Sequence, residues 1–170
     1  MNARHLPTAR PASDARAALT DDGRRMLEER LELMRTVSLP LLRPLLATPG
    51  RDERDVAEFE RLTAEALRLD ALLASATPVP PVELGTVGLG SRVLVELPDG
   101  NRVRLRPVHP VEAFLDDERV SSESPAAWAV LGSRPGDEVT VDGPAGRWLC
   151  RVVAVDDDRA ATTDVLGAPA

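Results

Sequence analysis

The feature that most constrains this chain is a turn-forming run, Thr48-Pro49-Gly50-Arg51-Asp52-Glu53-Arg54-Asp55, set between two long segments of helical periodicity. Before it, Leu27, Leu31, Met34, Leu41 and Leu45 recur at three- and four-residue steps, interrupted only by Ser38. After it, Phe59, Leu62, Ala66, Leu69, Leu73 and Ala76 recur in the same way without interruption. Such spacing lines up apolar side chains on one narrow stripe of a helix. Two stripes joined by a Pro-Gly turn bury each other most simply as an antiparallel pair. The segment from 19 to 77 is therefore expected to be a helical hairpin with its tip at 48–55.

Composition narrows the partners. A net charge of −7 argues against holding nucleic acid by phosphate neutralisation, so a protein partner is expected. All 21 basic residues are arginine, and the only aromatics are Phe59, Phe114, Trp128 and Trp148. A core of Leu, Val and Ala follows, and an aromatic-lined ligand pocket is hard to build. A single cysteine, Cys150, excludes an internal disulfide and a cysteine-rich metal site, and its place in a strand-like run marks it as a small buried hydrophobe. No signal-peptide-like run opens the chain and no stretch of about 20 apolar residues is present to span a bilayer. The expectation is a cytoplasmic monomer without a membrane contact.

Taken in order, residues 1–18 carry no period and are expected to be a disordered tail. Thr20, followed by Asp21 and Asp22, suits the N-cap of the first helix. Pro40 and Pro44 each remove a helical hydrogen bond, so the distal half of that helix should bend. Residues 78–90, rich in Pro and Gly, are expected to be a linker. The period then changes to two: Val93, Val95 and Leu97, a Pro98-Asp99-Gly100-Asn101 turn, then Val103 and Leu105 alternating with Arg102, Arg104 and Arg106. That is a β-hairpin, and the arginines read either as a solvated strand face or as a docking patch. A strand at 119–122, a short helix from Pro125 to Leu131 capped by Ser124, and two strands at 138–142 and 147–155 complete a domain spanning 91–155. Residues 156–170 are expected to be a solvated tail. The fold class is α+β: a helical hairpin followed by a small antiparallel β domain with one short helix.

Ser121-Ser122-Glu123-Ser124-Pro125, then Ala129-Val130-Leu131-Gly132 and Gly136-Asp137, resemble the C-terminal domain of the bacterial Gre transcript cleavage factors, GreA and GreB. Leu19-Thr20 with Gly23, the segment Leu33 to Pro40, and Ala57-Glu58-Phe59 resemble that family's hairpin, so the resemblance covers residues 19 to 155. It implies a β domain similar to FKBP-type isomerases that docks on RNA polymerase, and a hairpin that enters the polymerase secondary channel toward the RNA 3′ end. It further implies two tip acids, Asp52 and Asp55, that help hold a Mg²⁺ shared with the polymerase, with no cofactor bound tightly by this chain itself. Glu123, Ser124 and Pro125 become the polymerase contacts. Such a protein is not an enzyme, because the active site belongs to the polymerase. Two-metal phosphodiester hydrolysis explains the acids: Mg²⁺ takes hard oxygen ligands and only one or two carboxylates.

Other readings stay open. Asp52 stands where an N-cap belongs, three residues before Asp55, as in a capping box. The family's tip carries Glu where this chain has Asp55, and the arms run shorter, so a non-cleaving inhibitor acting by channel occupancy is the alternative. A protein-interaction module of the nucleoside diphosphate kinase regulator type is another. A prolyl isomerase is disfavoured by the scarcity of aromatics, and His5 and His109 stand in a tail and a loop without a catalytic set.

Overall fold

A computed structural model describes residues 17–48, 50, 52–144 and 146–156. Most of the two expected tails, and Pro49 and Arg51 of the tip, lie outside the described residues. Two compact units emerge, one spanning Arg16–Pro78 and the other starting at Val79.

In the first unit, strand β1 (Ala18–Leu19) leads into helix α1 (Asp21–Leu33). Thr20 is extended, and its Oγ1 accepts the Gly23 amide at 3.0 Å, satisfying one of the donors that every helix start leaves over. After a π-helical turn, Met34–Ser38, the arm continues as α2 (Leu39–Leu46), and α3 (Glu53–Ser75) returns. Strand β2 (Thr77–Pro78) then pairs in parallel with β1, Ala18 beside Thr77 and Leu19 beside Pro78. Arg24 ties the base: its guanidinium donates to the carbonyls of Leu73, at 3.2 Å, and Ala76, at 2.8 Å. A cation thus meets the negative end of α3, whose last turn has no basic residue of its own. Arg30–Glu65 at 2.6 Å and Arg35–Asp70 at 2.9 Å bridge the two arms at the surface.

The seam follows the expected stripe near the base and leaves it toward the tip. Leu27, Leu31 and Met34 are buried against a face of α3 that buries Ala66, Leu69 and Leu73. Leu41 and Leu45, by contrast, are 68% and 44% exposed, while Leu42 and Leu46 are half-buried. The physical reason is the prolines. Pro40 has no amide for the Thr36 carbonyl, and just before it the Leu39 amide reaches back five residues to Met34. A turn with one extra residue rotates all that follows by about 100°, so the inward stripe passes to Leu42 and Leu46. Leu33, Val37, Leu41 and Leu45 form an exposed apolar row instead.

In the second unit, five strands are ordered β5-β4-β3-β7-β6, with β3 at Arg92–Glu96, β4 at Arg102–Val108, β5 at Arg119–Ser121, β6 at Glu138–Gly143 and β7 at Gly146–Asp156. Val93 faces Leu105 and Val95 faces Val152; with Val141, Cys150 and Val87 they form the core, against which helix α4 (Pro125–Val130) packs Val130. Burial pushes the Cys150 thiol up from its ordinary pKa, which leaves it a hydrophobe.

Three expectations need correction. The sheet is mixed, because edge strand β5 runs parallel to β4, Arg106 beside Arg119 and Val108 beside Ser121. The stretch 78–90 is not a free linker: Pro78 is paired in β2, and Val87 is 2% exposed in the core, exchanging backbone hydrogen bonds with Gly132 and Ser133. Gly88 is there for close packing, since a Cβ on it would lie 2.6 Å from the Val82 side chain, whereas Gly85 and Gly90 take a positive φ. Nor do the tails begin where expected, for Ala18 lies in β1 and Asp156 pairs with Arg92.

Substitution at the seam tests the phase shift. Leu27→Ala should cost about 2–5 kcal/mol and Leu41→Ala less than about 0.5 kcal/mol in urea unfolding. A larger loss at Leu41 than at Leu42 would return the seam to its unshifted phase.

Candidate functional site

The hairpin tip is built from two helix ends. The Thr48 hydroxyl donates to the Leu45 carbonyl at 2.8 Å as α2 closes, and Gly50 takes a φ of +86°, a conformation a side chain would resist. Asp52 is extended and caps α3, its Oδ1 accepting the Arg54 amide at 2.9 Å, while its carbonyl accepts the amides of Asp55, at 3.1 Å, and Val56, at 3.3 Å. Glu53 and Asp55 lie in the first turn, where the helix dipole favours negative charge. Asp52 is exposed and Asp55 half-buried. The cap bond thus goes two residues on rather than three, so Asp52 and Asp55 share one helix start without a reciprocal box. Among the described residues, no group of three or more His, Cys, Asp or Glu side chains is placed to hold a metal ion. Carboxylate is the ligand type a hard cation such as Mg²⁺ takes, usually one or two at a time.

The second candidate site lies in the β unit. Ser124 caps α4, its Oγ accepting the Ala127 amide at 3.2 Å, and Pro125 takes the first helical position, where a missing N–H costs nothing. Ser121 holds the turn from behind: its carbonyl accepts the Ser124 amide at 2.8 Å and its hydroxyl the Glu123 amide at 3.2 Å. The Ser122 amide donates to the Val108 carbonyl at 2.7 Å. Glu123 and Pro125 are left exposed. The tip acids and this turn belong to different units, and each is a site by itself.

Behind the turn lies a bracket that sequence reasoning missed. Arg119 of β5 has 1% of its side chain exposed and Glu112 none, and they pair at 2.8 Å. The Arg119 Nε also donates to Asp116 at 2.6 Å, and Asp116 Oδ1 accepts the amides of Glu118 and Arg119. Burial would raise the Asp116 carboxyl, but the hydrogen bonds and charge of Arg119 outweigh it and hold the group below its ordinary value of 3.8. The Val111 amide donates to His109 Nδ1 at 3.3 Å; burial holds that imidazole low, against the pull of the Glu112 and Glu123 carboxylates. The only sequence signal was an acid-rich loop closed by an arginine that opens a strand. The three hairpin arginines do not form one patch: Arg102 pairs with Glu96 at 3.0 Å in solvent, whereas Arg106 is buried and donates to the Gly90 carbonyl at 2.9 Å.

The described residues thus form a helical hairpin carrying acids at its tip and a five-stranded unit carrying a capped Ser-Pro turn. The family described as "Transcription elongation factor, GreA/GreB, C-term" matches residues 82–157. Transcription elongation factor GreA of Geobacillus kaustophilus is 31% identical over 156 residues, covering 85% of this chain and 99% of that protein. GreA of Bacillus subtilis is 30% identical over 148 residues, covering 81% of this chain and 94% of the relative. The crystal structure of GreA factor homolog 1 (Gfh1) of Thermus thermophilus is 30% identical and aligns with 84% of this chain and all of that one at a TM-score of 0.39. This chain belongs to the GreA/GreB family of transcription elongation factors.

Glu112→Ala leaves Arg119 buried without its main partner and should cost about 3–5 kcal/mol in denaturant unfolding. A loss below about 1 kcal/mol would show that the pair is dispensable. Because the folded pKa of Asp116 is depressed, its contribution is complete above about 3.8 and is lost as pH falls below that. Asp116→Asn should make the acid-side fall of the melting temperature shallower; an unchanged profile would refute the assignment.

Proposed function

We propose that this protein binds RNA polymerase, with the β unit docking through Glu123, Ser124 and Pro125 and the hairpin entering the secondary channel. The tip acids then act at the polymerase active centre on backtracked RNA. The observation that carries this reading is the pair of acids, Asp52 and Asp55, at the start of α3, on the turn joining the two arms. Asp52 and Asp55 would hold a Mg²⁺ shared with the polymerase, which supplies charge neutralisation at the phosphate and an activated water. The chain's own part is to present the carboxylates: the cap bond orients Asp52 and the first turn of α3 orients Asp55. In this reading the active site is the polymerase's, and the chain assists rather than catalyses.

One observation favours the non-cleaving reading. Asp52 Oδ1 is already committed to the Arg54 amide, which leaves fewer lone pairs for a metal. Occupancy of the channel without cleavage would then be the activity, and inhibition the outcome.

The test is addition of the protein and Mg²⁺ to a backtracked elongation complex carrying 3′-labelled RNA, beside the Asp52→Asn and Asp55→Ala variants. Asparagine keeps the cap acceptor and removes the charge. Short 3′ fragments from the parent, reduced at least tenfold by Asp52→Asn at unchanged melting temperature, would establish the acids at the metal. Without fragments, but with dose-dependent loss of transcript, the factor is an inhibitor. Absence of binding to polymerase at saturating protein would sink both.

A further inference from the structure

Resting on the polymerase-binding reading, we propose that Pro40 is a positioning residue for Asp52 and Asp55. By holding the π-helical turn ahead of it, Pro40 sets the rotation of α2 and so the place where the tip closes.

The turn is a local exception with a local cause. Ordinary α-helix runs on either side of Met34–Ser38, and the Leu39 amide spans the turn by donating to the Met34 carbonyl, five residues back. In an unbroken α-helix the Thr36 carbonyl would meet the amide of residue 40, but proline has none, and its ring crowds that carbonyl. One extra residue in the turn relieves the crowding. Thr36 loosens the same stretch, its hydroxyl donating to the Glu32 carbonyl at 2.8 Å, a bond to the fourth residue back that bends helices. Pro44 is the internal comparison: it lies inside α2 and is accommodated there without a π-turn.

The effect on the tip follows from geometry. With the π-turn, Leu42 and Leu46 are half-buried, and Leu41 and Leu45 are exposed. Were the turn α, the helix beyond it would be rotated by about 100°, moving each Cα, on a radius of about 2.3 Å, by roughly 3.5 Å around the axis. Ala47 caps the end of α2 and Asp52 the start of α3, so Thr48, Pro49, Gly50 and Arg51 alone must absorb that movement. The far end of α3 is tied at the base by Arg24 and by the pairing of β1 with β2, which leaves the acid-bearing end as the one that gives way. Groups that assist chemistry must stand within about 0.5 Å of their productive place. A shift of several ångströms at the end of α2 is large on that scale.

The experiment uses the full chain as the parent, Pro40→Ala, Pro44→Ala, and Pro40→Ala with Ser38 deleted. The deletion takes out the extra residue and so returns the phase that the π-turn gave. Phase is read from the urea midpoints of Leu41→Ala and Leu42→Ala made in each background. The larger drop should belong to Leu42 in the parent and in Pro44→Ala, pass to Leu41 in Pro40→Ala, and return to Leu42 with the deletion. Positioning is read with RNA polymerase core enzyme, as affinity and as 3′ fragment release, or inhibition where the parent releases none, at saturating protein. Pro40→Ala should lower that activity at least tenfold with affinity held within about threefold, and the deletion should recover it, which a loss of stability alone would not produce. If the larger drop stays with Leu42 in Pro40→Ala, the proposal is overturned. A transfer to Leu41 with activity kept refutes the positioning role and leaves the polymerase reading standing. If the parent does not bind polymerase, that reading falls and the positioning role with it, and the leucine comparison still decides whether Pro40 sets the phase.

Discussion

Every helix begins with amides that have no partner within it, and this protein places its candidate contact residues where that debt is settled. Thr20, Asp52 and Ser124 are each extended, and each accepts a backbone amide from the turn it precedes. The last two also open the hairpin's return arm and the Ser-Pro turn. The same hydrogen bond that starts the helix fixes the direction of the side chain, so the geometry of both sites is inherited from local backbone chemistry. Asp52 is thereby orientated without help from a distant element. One oxygen is engaged in doing so, and that divides the cleaving from the non-cleaving reading.

The β unit orders its β5 edge by another means. Strand β5 is three residues long and sits at the sheet's margin, where pairing alone holds little. Arg119, buried in that strand, cannot be left without a counter-charge, and it brings Glu112 and Asp116 with it. The loop between β4 and β5 is consequently folded onto the edge.

Legibility followed the range of the interaction. The caps at Thr20, Asp52 and Ser124 could be read from neighbouring residues because they act over two or three positions. The hairpin strands were readable from alternation around the Pro98-Asp99-Gly100-Asn101 turn, and the Gre resemblance was carried by residues of the Ser-Pro turn and the Gly136-Asp137 pair. What was misread depends on distant partners. Val87 looked like part of a linker because its core neighbours lie on other strands. Arg106 looked like its solvated neighbours because the Gly90 carbonyl it meets is sixteen residues away. The parallel pairing of β5 has no signature in three residues. Leu41 and Leu45 kept the expected spacing but lost the seam, because the π-helical turn ahead of Pro40 adds a residue that periodicity does not count.

That turn leaves the distal arm with two apolar stripes one position apart, Leu41 with Leu45 and Leu42 with Leu46. Either pair is suited to face α3, and the reach of one amide, Leu39 to Met34, selects between them. The arm thus holds a spare register: were Pro40 to regain an N–H and the turn to tighten to α, the helix would rotate and still present leucines to its partner. The seam is degenerate in side chains and specified by backbone phase. Drift at position 40 would therefore change which face the hairpin shows to its surroundings before it changed whether the hairpin forms.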